Sequence, residues 1–359
     1  MGLLNRRPAL RWLVPVLAVA VAIGGGATAS AIAASQPKLP PRSAAELLVA
    51  LQTAEVPGLS GTVVHTADLG LPALPDSRGH GSADLGSLWS GSSTLRVWYA
   101  GPRQVRVALL GTLGQSDIIR DGRDFWIWDS TENRASHWEL PAVDAPPHRP
   151  ATPAMTPQEA ADAALAAIDP TTEVSTGNNA RVAGRDAYEL VLTPRDDASL
   201  IREIRLAVDA EHSIPLGVSV FGAATDPAYE VRFTSIDFET PDPEQFRFNP
   251  PPGSTVIEGP PLTDLLLGPL PGISRPEMTV IGEGWTSVLV IRVPDVVDRS
   301  MVPLDRLPTI RGDWGSGQVM MSNLLSALIT EDGRLLVGAV TVERLAQVAG
   351  DPAATPRGE

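Results

Sequence analysis

Cysteine is missing from all 359 residues, and that absence removes several chemistries at once. It excludes disulfides, thiolate metal sites, a cysteine nucleophile and the acylated cysteine of a bacterial lipoprotein. Lysine is nearly missing too, since Lys38 stands alone among 28 basic residues. Acid outweighs base by 42 to 28, for a formal charge of −14. Arg6, Arg7 and Arg11 sit at the extreme N-terminus, and taking these three positive charges away leaves −17 on the rest. A body so acidic repels phosphate backbones, so no nucleic-acid partner is expected. Charge alone would not hold it on anionic lipid either.

Motifs that carry chemistry are also lacking. The five histidines (His65, His80, His137, His148 and His212) show neither H-x-x-x-H nor H-E-x-x-H spacing, and read as solvated or structural residues of loops and strand ends. Gly58-Leu59-Ser60-Gly61 is not a nucleophile elbow, because Ser60 precedes a strand rather than a helix. Gly282-Glu283-Gly284 lacks the third glycine of a dinucleotide site, and no Walker sequence occurs. Neither an enzyme nor a bound cofactor is expected.

Among what is present, a basic n-region followed by an apolar run at 12–23 and small residues up to Ala34 describes a secretory signal. Ala27-Thr28-Ala29 and Ala31-Ile32-Ala33 both suit cleavage. The alternative is an uncleaved anchor, because residues 12–34 approach the roughly 20 needed to span a bilayer. Either way the body belongs outside the cytoplasm, secreted or anchored to the cytoplasmic membrane.

The body reads as antiparallel sheet with few helices. Ser43-Ala44-Ala45-Glu46 is a capping box that opens a helix, which Pro57-Gly58 stops. Thr156-Pro157-Gln158-Glu159 opens a second helix, ended by Asp169-Pro170. Residues 94–138 hold the clearest period-two pattern. Leu95, Val97 and Tyr99 alternate, as do Val105, Val107 and Leu109, and Asp121-Gly122 turns the chain into Phe125-Trp126-Ile127-Trp128. Further strands follow at Tyr188, Leu190 and Leu192, at Ile204, Leu206 and Val208, at Leu216, Val218 and Val220, and at Tyr229, Val231 and Phe233. Prolines 250–252 should then end the ladder. Trp98, Trp126 and Trp128 fall on the face opposite Val97, Phe125 and Ile127. Pattern alone leaves two readings of the apolar face: ordinary core beneath a cover, or the wall of a ligand cavity.

Residues 260–276 read as a proline-rich linker. Residues 277–350 read as a small α+β unit with a hairpin around Glu331-Asp332-Gly333-Arg334 and a helix over 342–349, followed by a disordered tail at 351–359.

Several short motifs resemble the LolA-like superfamily, that is, the periplasmic lipoprotein carrier LolA and the N-terminal domain of the RseB/MucB sigma-E regulatory proteins. They are Trp98-Tyr99-x-x-Pro102, Arg120-Asp121-Gly122-x-x-Phe125-Trp126-Ile127, Val182-Ala183-Gly184-Arg185-x-Ala187-Tyr188-x-Leu190-x-Leu192-x-Pro194 and Phe246-Arg247-Phe248-x-Pro250-Pro251-x-Gly253. With the first helix they span about residues 43–257, in the family's order. Where many carriers place an arginine ahead of the proline, this chain has Gly101.

The resemblance implies that residues 35–259 fold as an open, curved, antiparallel half-barrel with covering helices, whose concave face holds acyl chains. It implies ligand contacts at Leu95, Val97, Tyr99, Val105, Val107, Leu109, Phe125, Ile127, Tyr188, Leu190, Leu192 and Phe233. The expected partner is an acyl-chain lipid or lipoprotein, with a membrane anti-sigma factor or a transporter as the alternative.

Overall fold

A computed structural model describes residues 37–70, 91–112, 114–140, 170–259, 278–292 and 307–354. The signal or anchor segment, the second expected helix and the linker lie outside the described residues.

Two sheets make up the described protein. The large one is built from β1 (Leu59–Ala67), β2 (Gly91–Tyr99), β3 (Gln104–Leu110), β4 (Gln115–Asp121), β5 (Asp124–Asp129), β6 (Arg134–Glu139), β7 (Thr172–Thr176), β8 (Ala180–Val182), β9 (Arg185–Pro194), β10 (Glu203–Asp209), β11 (Pro215–Phe221), β12 (Tyr229–Asp237) and β13 (Thr255–Glu258). Its order is β13-β6-β5-β4-β3-β2-β1-β12-β11-β10-β9-β7, with β8 also on β9. The sheet is open and does not close into a barrel. β2 to β6 form a continuous meander, because each short turn returns the chain beside the strand just laid down.

Prolines 250–252 do not end the ladder. The chain recovers at Thr255 and adds β13 to β6 as a parallel strand, against the expectation from sequence. Proline forbids pairing only where its own N–H is needed, and these prolines precede the strand. Asn133 secures the entry: its Nδ2 donates to the Gly253 carbonyl at 2.9 Å, and its own carbonyl accepts from Thr255 N at 2.9 Å.

The helix α1 (Ala44–Thr53) starts on the expected capping box. Glu46 N donates to Ser43 Oγ at 3.2 Å, and Ser43 N donates back to Glu46 Oε2 at 2.7 Å. Leu47 of α1 is fully buried against Tyr188, Leu190, Ile204, Leu206 and Val208, so the helix lies across β9 and β10.

Beyond residue 277 come β14 (Met278–Ile281), β15 (Val288–Arg292), β16 (Thr309–Gly312), β17 (Gly315–Met321), β18 (Ser326–Thr330), β19 (Arg334–Gly338) and the helix α2 (Val342–Ala349). The sheet order is β14-β15-β19-β18-β17-β16. Leu345, Val348 and Ala349 of α2 pack on Val290, Leu328 and Leu336. The tail expected from residue 351 begins instead with a 3-10 turn, Pro352–Ala354, whose Ala354 is fully buried in the same core. An alanine has too little side chain for its burial to be announced by pattern.

The two sheets are joined by backbone. Leu200 N donates to the Ala339 carbonyl at 2.9 Å, and Thr341 N to the Ala198 carbonyl at 3.0 Å. Asn323 N donates to Leu69 O at 2.7 Å, while its Nδ2 donates to Asp68 O at 2.6 Å. Ala67, Leu69, Ala228 and Leu324 form an apolar cluster at this joint. Trp285 Nε1 adds a bond to Thr172 Oγ1 at 2.7 Å.

Candidate functional site: one face of the large sheet

Register places all twelve expected contact residues on one face. Leu95, Val97 and Tyr99 pair with Leu109, Val107 and Val105, respectively. Val107 pairs with Ile118 and Ile118 with Ile127, while Val105 pairs with Arg120 and Arg120 with Phe125. In the other direction Leu95 pairs with Val63 and Val63 with Phe233. Tyr188, Leu190 and Leu192 pair with Val208, Leu206 and Ile204, and Leu206 pairs with Val218. Residues directly opposite on neighbouring strands point the same way, so the apolar face is continuous from β5 to β9.

This face has two regimes. Tyr188 and Leu190 are buried and Leu192 half-buried beneath α1. Leu95 and Leu109 are also buried, in a cluster with Val63, Val231, Val97, Val107, Tyr229 and Phe233. Toward the turns at Gly101 and Gly122 the residues Val97, Tyr99, Val105, Val107, Phe125 and Ile127 are only half-buried. A half-buried apolar surface in water is the raw material of a hydrophobic binding site.

The opposite face is closed differently. Phe246 is fully buried, and Phe248 lies against Trp126 and Trp128 with ring centroids 5.3 and 5.7 Å away. Arg106 donates through Nη1 to Gln245 O at 3.2 Å and holds the buried Asp117 carboxylate through Nε at 2.9 Å. The guanidinium groups of Arg96 and Arg106 lie over the Trp98 ring, 5.0 and 5.4 Å from its centroid. Of the tryptophans opposite the candidate face, Trp126 and Trp128 thus pack against Phe248, and Trp128 is buried.

Leu216 departs from the expected alternation. Val218 and Val220 join the cluster beneath α1, whereas Leu216 packs with Val182 and Ala187. A register shift between Ala207 and Val208 inserts an extra residue on β11 and breaks the period.

One polar residue on the candidate face carries no motif. His65 is fully buried, paired with Val231 and Ser93, and meets the Tyr229 ring edge-on at 4.5 Å. Burial alone pushes its pKa down to about 4, so it is neutral near pH 7. The signal was available in sequence: Val63, His65 and Ala67 share one side of β1 by simple alternation. Among the described residues no group of three or more His, Asp or Glu is arranged to hold a metal. None of the described helices is long and apolar enough to cross a membrane.

Gly101 has φ +85°, so the turn between β2 and β3 needs a left-handed residue there. No family model matches this sequence, and no curated protein does. Among solved structures it is similar to a chain of the Pseudomonas aeruginosa MucA/MucB complex, at 18% identity over 85% of this chain and 96% of that one, with a TM-score of 0.42. It is also similar to a LolA superfamily protein from Nitrosomonas europaea, at 12% identity over 58% of this chain and 99% of that one, with a TM-score of 0.22. MucB and the LolA superfamily are the two groups that the motifs resemble.

Proposed function

We propose that this protein is exported and binds, without catalysis, an acyl-chain lipid or the lipid part of a lipoprotein on the apolar face of its large sheet. The observation that carries the reading is the stretch of half-buried residues from Tyr99 and Val105 to Phe125 and Ile127, continuous with a buried apolar cluster. Each buried methylene contributes about 0.8 kcal/mol, so a long chain needs no charged anchor to bind usefully. The leader-like residues 1–34 support placement outside the cytoplasm.

Protein recovered from a native-like host should carry lipid that organic extraction and mass spectrometry detect. Phe125→Asp should lower the loading severalfold while the far-ultraviolet circular dichroism is unchanged. Lipid-free wild-type protein, or full loading of a folded Phe125→Asp variant, would sink the proposal.

A second reading is an extracytoplasmic module that captures a membrane anti-sigma factor; MucB itself has been crystallised in complex with MucA. What favours this reading is the second sheet, hydrogen-bonded onto the first, which lipid carriage alone does not require. Crosslinking in membranes should then recover an anti-sigma factor with the whole chain and not with a chain cut at residue 277. Equal recovery with both chains would count against it.

A further inference from the structure

The half-buried end of the apolar face carries an arginine without a counter-ion among the described residues. Arg120 sits on β4 between Val105 on β3 and Phe125 on β5, with Ile118 two residues before it on the same face. Its Nε donates to the Gly122 carbonyl at 3.2 Å, and among the described residues its guanidinium makes no ion pair. The acids near it in sequence are engaged on the other side of the sheet. Asp117 is held by Arg106, Asp121 accepts from Gln104 Nε2 at 3.0 Å, and Asp124 is bonded to His137. In a chain with 42 acidic residues against 28 basic ones, an arginine left unmatched on an apolar wall calls for an explanation.

A second donor stands beside it. Tyr99 pairs with Val105, which pairs with Arg120, so the two polar side chains flank one small valine. With strands about 4.8 Å apart, their Cα atoms are about 10 Å from each other, within reach of two long side chains converging on one group. Burial, helped by the field of Glu55, raises the Tyr99 pKa and keeps its hydroxyl a proton donor. A guanidinium presents a planar fork suited to a carboxylate or phosphate, and such bonds strengthen where water is partly excluded.

Resting on the acyl-chain reading above, we propose that Arg120 and Tyr99 bind the anionic head group, carboxylate or phosphate, of an amphiphile whose chain lies on the apolar face. The site therefore selects acidic amphiphiles over neutral ones of equal chain length.

Delipidated full-length protein is titrated by calorimetry with palmitate, with hexadecanol and with inorganic phosphate. Palmitate should bind at least tenfold more tightly than hexadecanol, and phosphate without a chain should bind far more weakly than either. Arg120→Gln should weaken palmitate binding by about the same tenfold and so abolish the preference, and Tyr99→Phe should reduce the preference in part. Equal affinity of wild-type protein for palmitate and hexadecanol overturns the head-group site and leaves the acyl-chain reading standing. Failure of both amphiphiles to bind overturns both. An intact preference in Arg120→Gln also overturns the assignment. Should that variant fail to fold, the wild-type ratio and Tyr99→Phe decide the matter.

Discussion

His65 and His137 show how one residue type acquires opposite electrostatic roles. His65 is fully buried, and burial holds its pKa at about 4. The unfolded chain, near the ordinary 6.5, therefore binds the proton first as pH falls. The stability that His65 permits is complete above about pH 6.5 and is lost progressively down to about pH 4. A gap of that size is worth about 3 kcal/mol. His65→Phe should flatten the dependence of unfolding free energy on pH across this window, as measured by denaturant titration at pH 7, 5.5 and 4. An unchanged slope would show that the ring is not enclosed as described. His137 runs the other way. Burial disfavours its charge, but Asp124 at 3.0 Å and Glu258 at 2.8 Å outweigh burial and raise its pKa. Its contribution is complete below the unfolded pKa and is lost as pH rises through the folded one.

Arg185 and Asp209 form a third polar point. Burial pushes the Asp209 carboxyl up, yet Arg185 and the backbone N–H groups of His212 and Glu211 hold it below the usual carboxylate range. Asp209 has no exposed side chain, and its partner Arg185 belongs to the Val182-Ala183-Gly184-Arg185 motif. Arg185 thus pins the β8–β9 turn to the β10–β11 turn.

At the scale of elements, β13 depends on side chains more than on its own pattern. Its four residues are all exposed, including Val256 and Ile257, and it pairs with β6 alone. Glu258 on β13, His137 on β6 and Asp124 on β5 form a clip across three strands, with the imidazole stacked on Trp126 at 4.1 Å. A charged imidazole can donate to both carboxylates, whereas a neutral one can donate to only one. Amide hydrogen exchange in β13, corrected for the intrinsic pH effect, should accelerate as His137 deprotonates, and His137→Gln should remove that added dependence. Exchange that tracks the intrinsic rate alone would exclude the clip.

On the scale of the molecule, the close joint between the sheets predicts that they unfold together. A Cβ added at Gly222 would lie 2.4 Å from the Asn323 carbonyl oxygen, well inside contact distance and against backbone. Gly222→Val should force the joint apart at a cost of about 2 kcal/mol, the range for overpacking a close contact. Calorimetry should then resolve two transitions where the wild type shows one. A single transition at the wild-type temperature would mean that the joint adapts.

The sequence by itself determined the strand face. Period two leaves a residue such as Val105 or Phe125 no choice of side once the strand forms, so Val105, Val107 and Leu109 fell together within their strand without any tertiary information, while the register between strands brought the separate groups onto one face. The capping box at Ser43 and the helix over 342–349 were equally local, because their signals lie within one turn of chain. Tertiary structure alone decided the rest. That Tyr188 and Leu190 lie beneath α1 while Tyr99 and Phe125 stay half-exposed depends on where a helix more than forty residues away comes to rest. The parallel return of β13, the burial of Ala354 and the separation of Arg120 from the acids nearest it in sequence are likewise products of long-range pairing. Pairing of that kind leaves no periodic trace in the chain, because each partner's own pattern is satisfied by many possible neighbours.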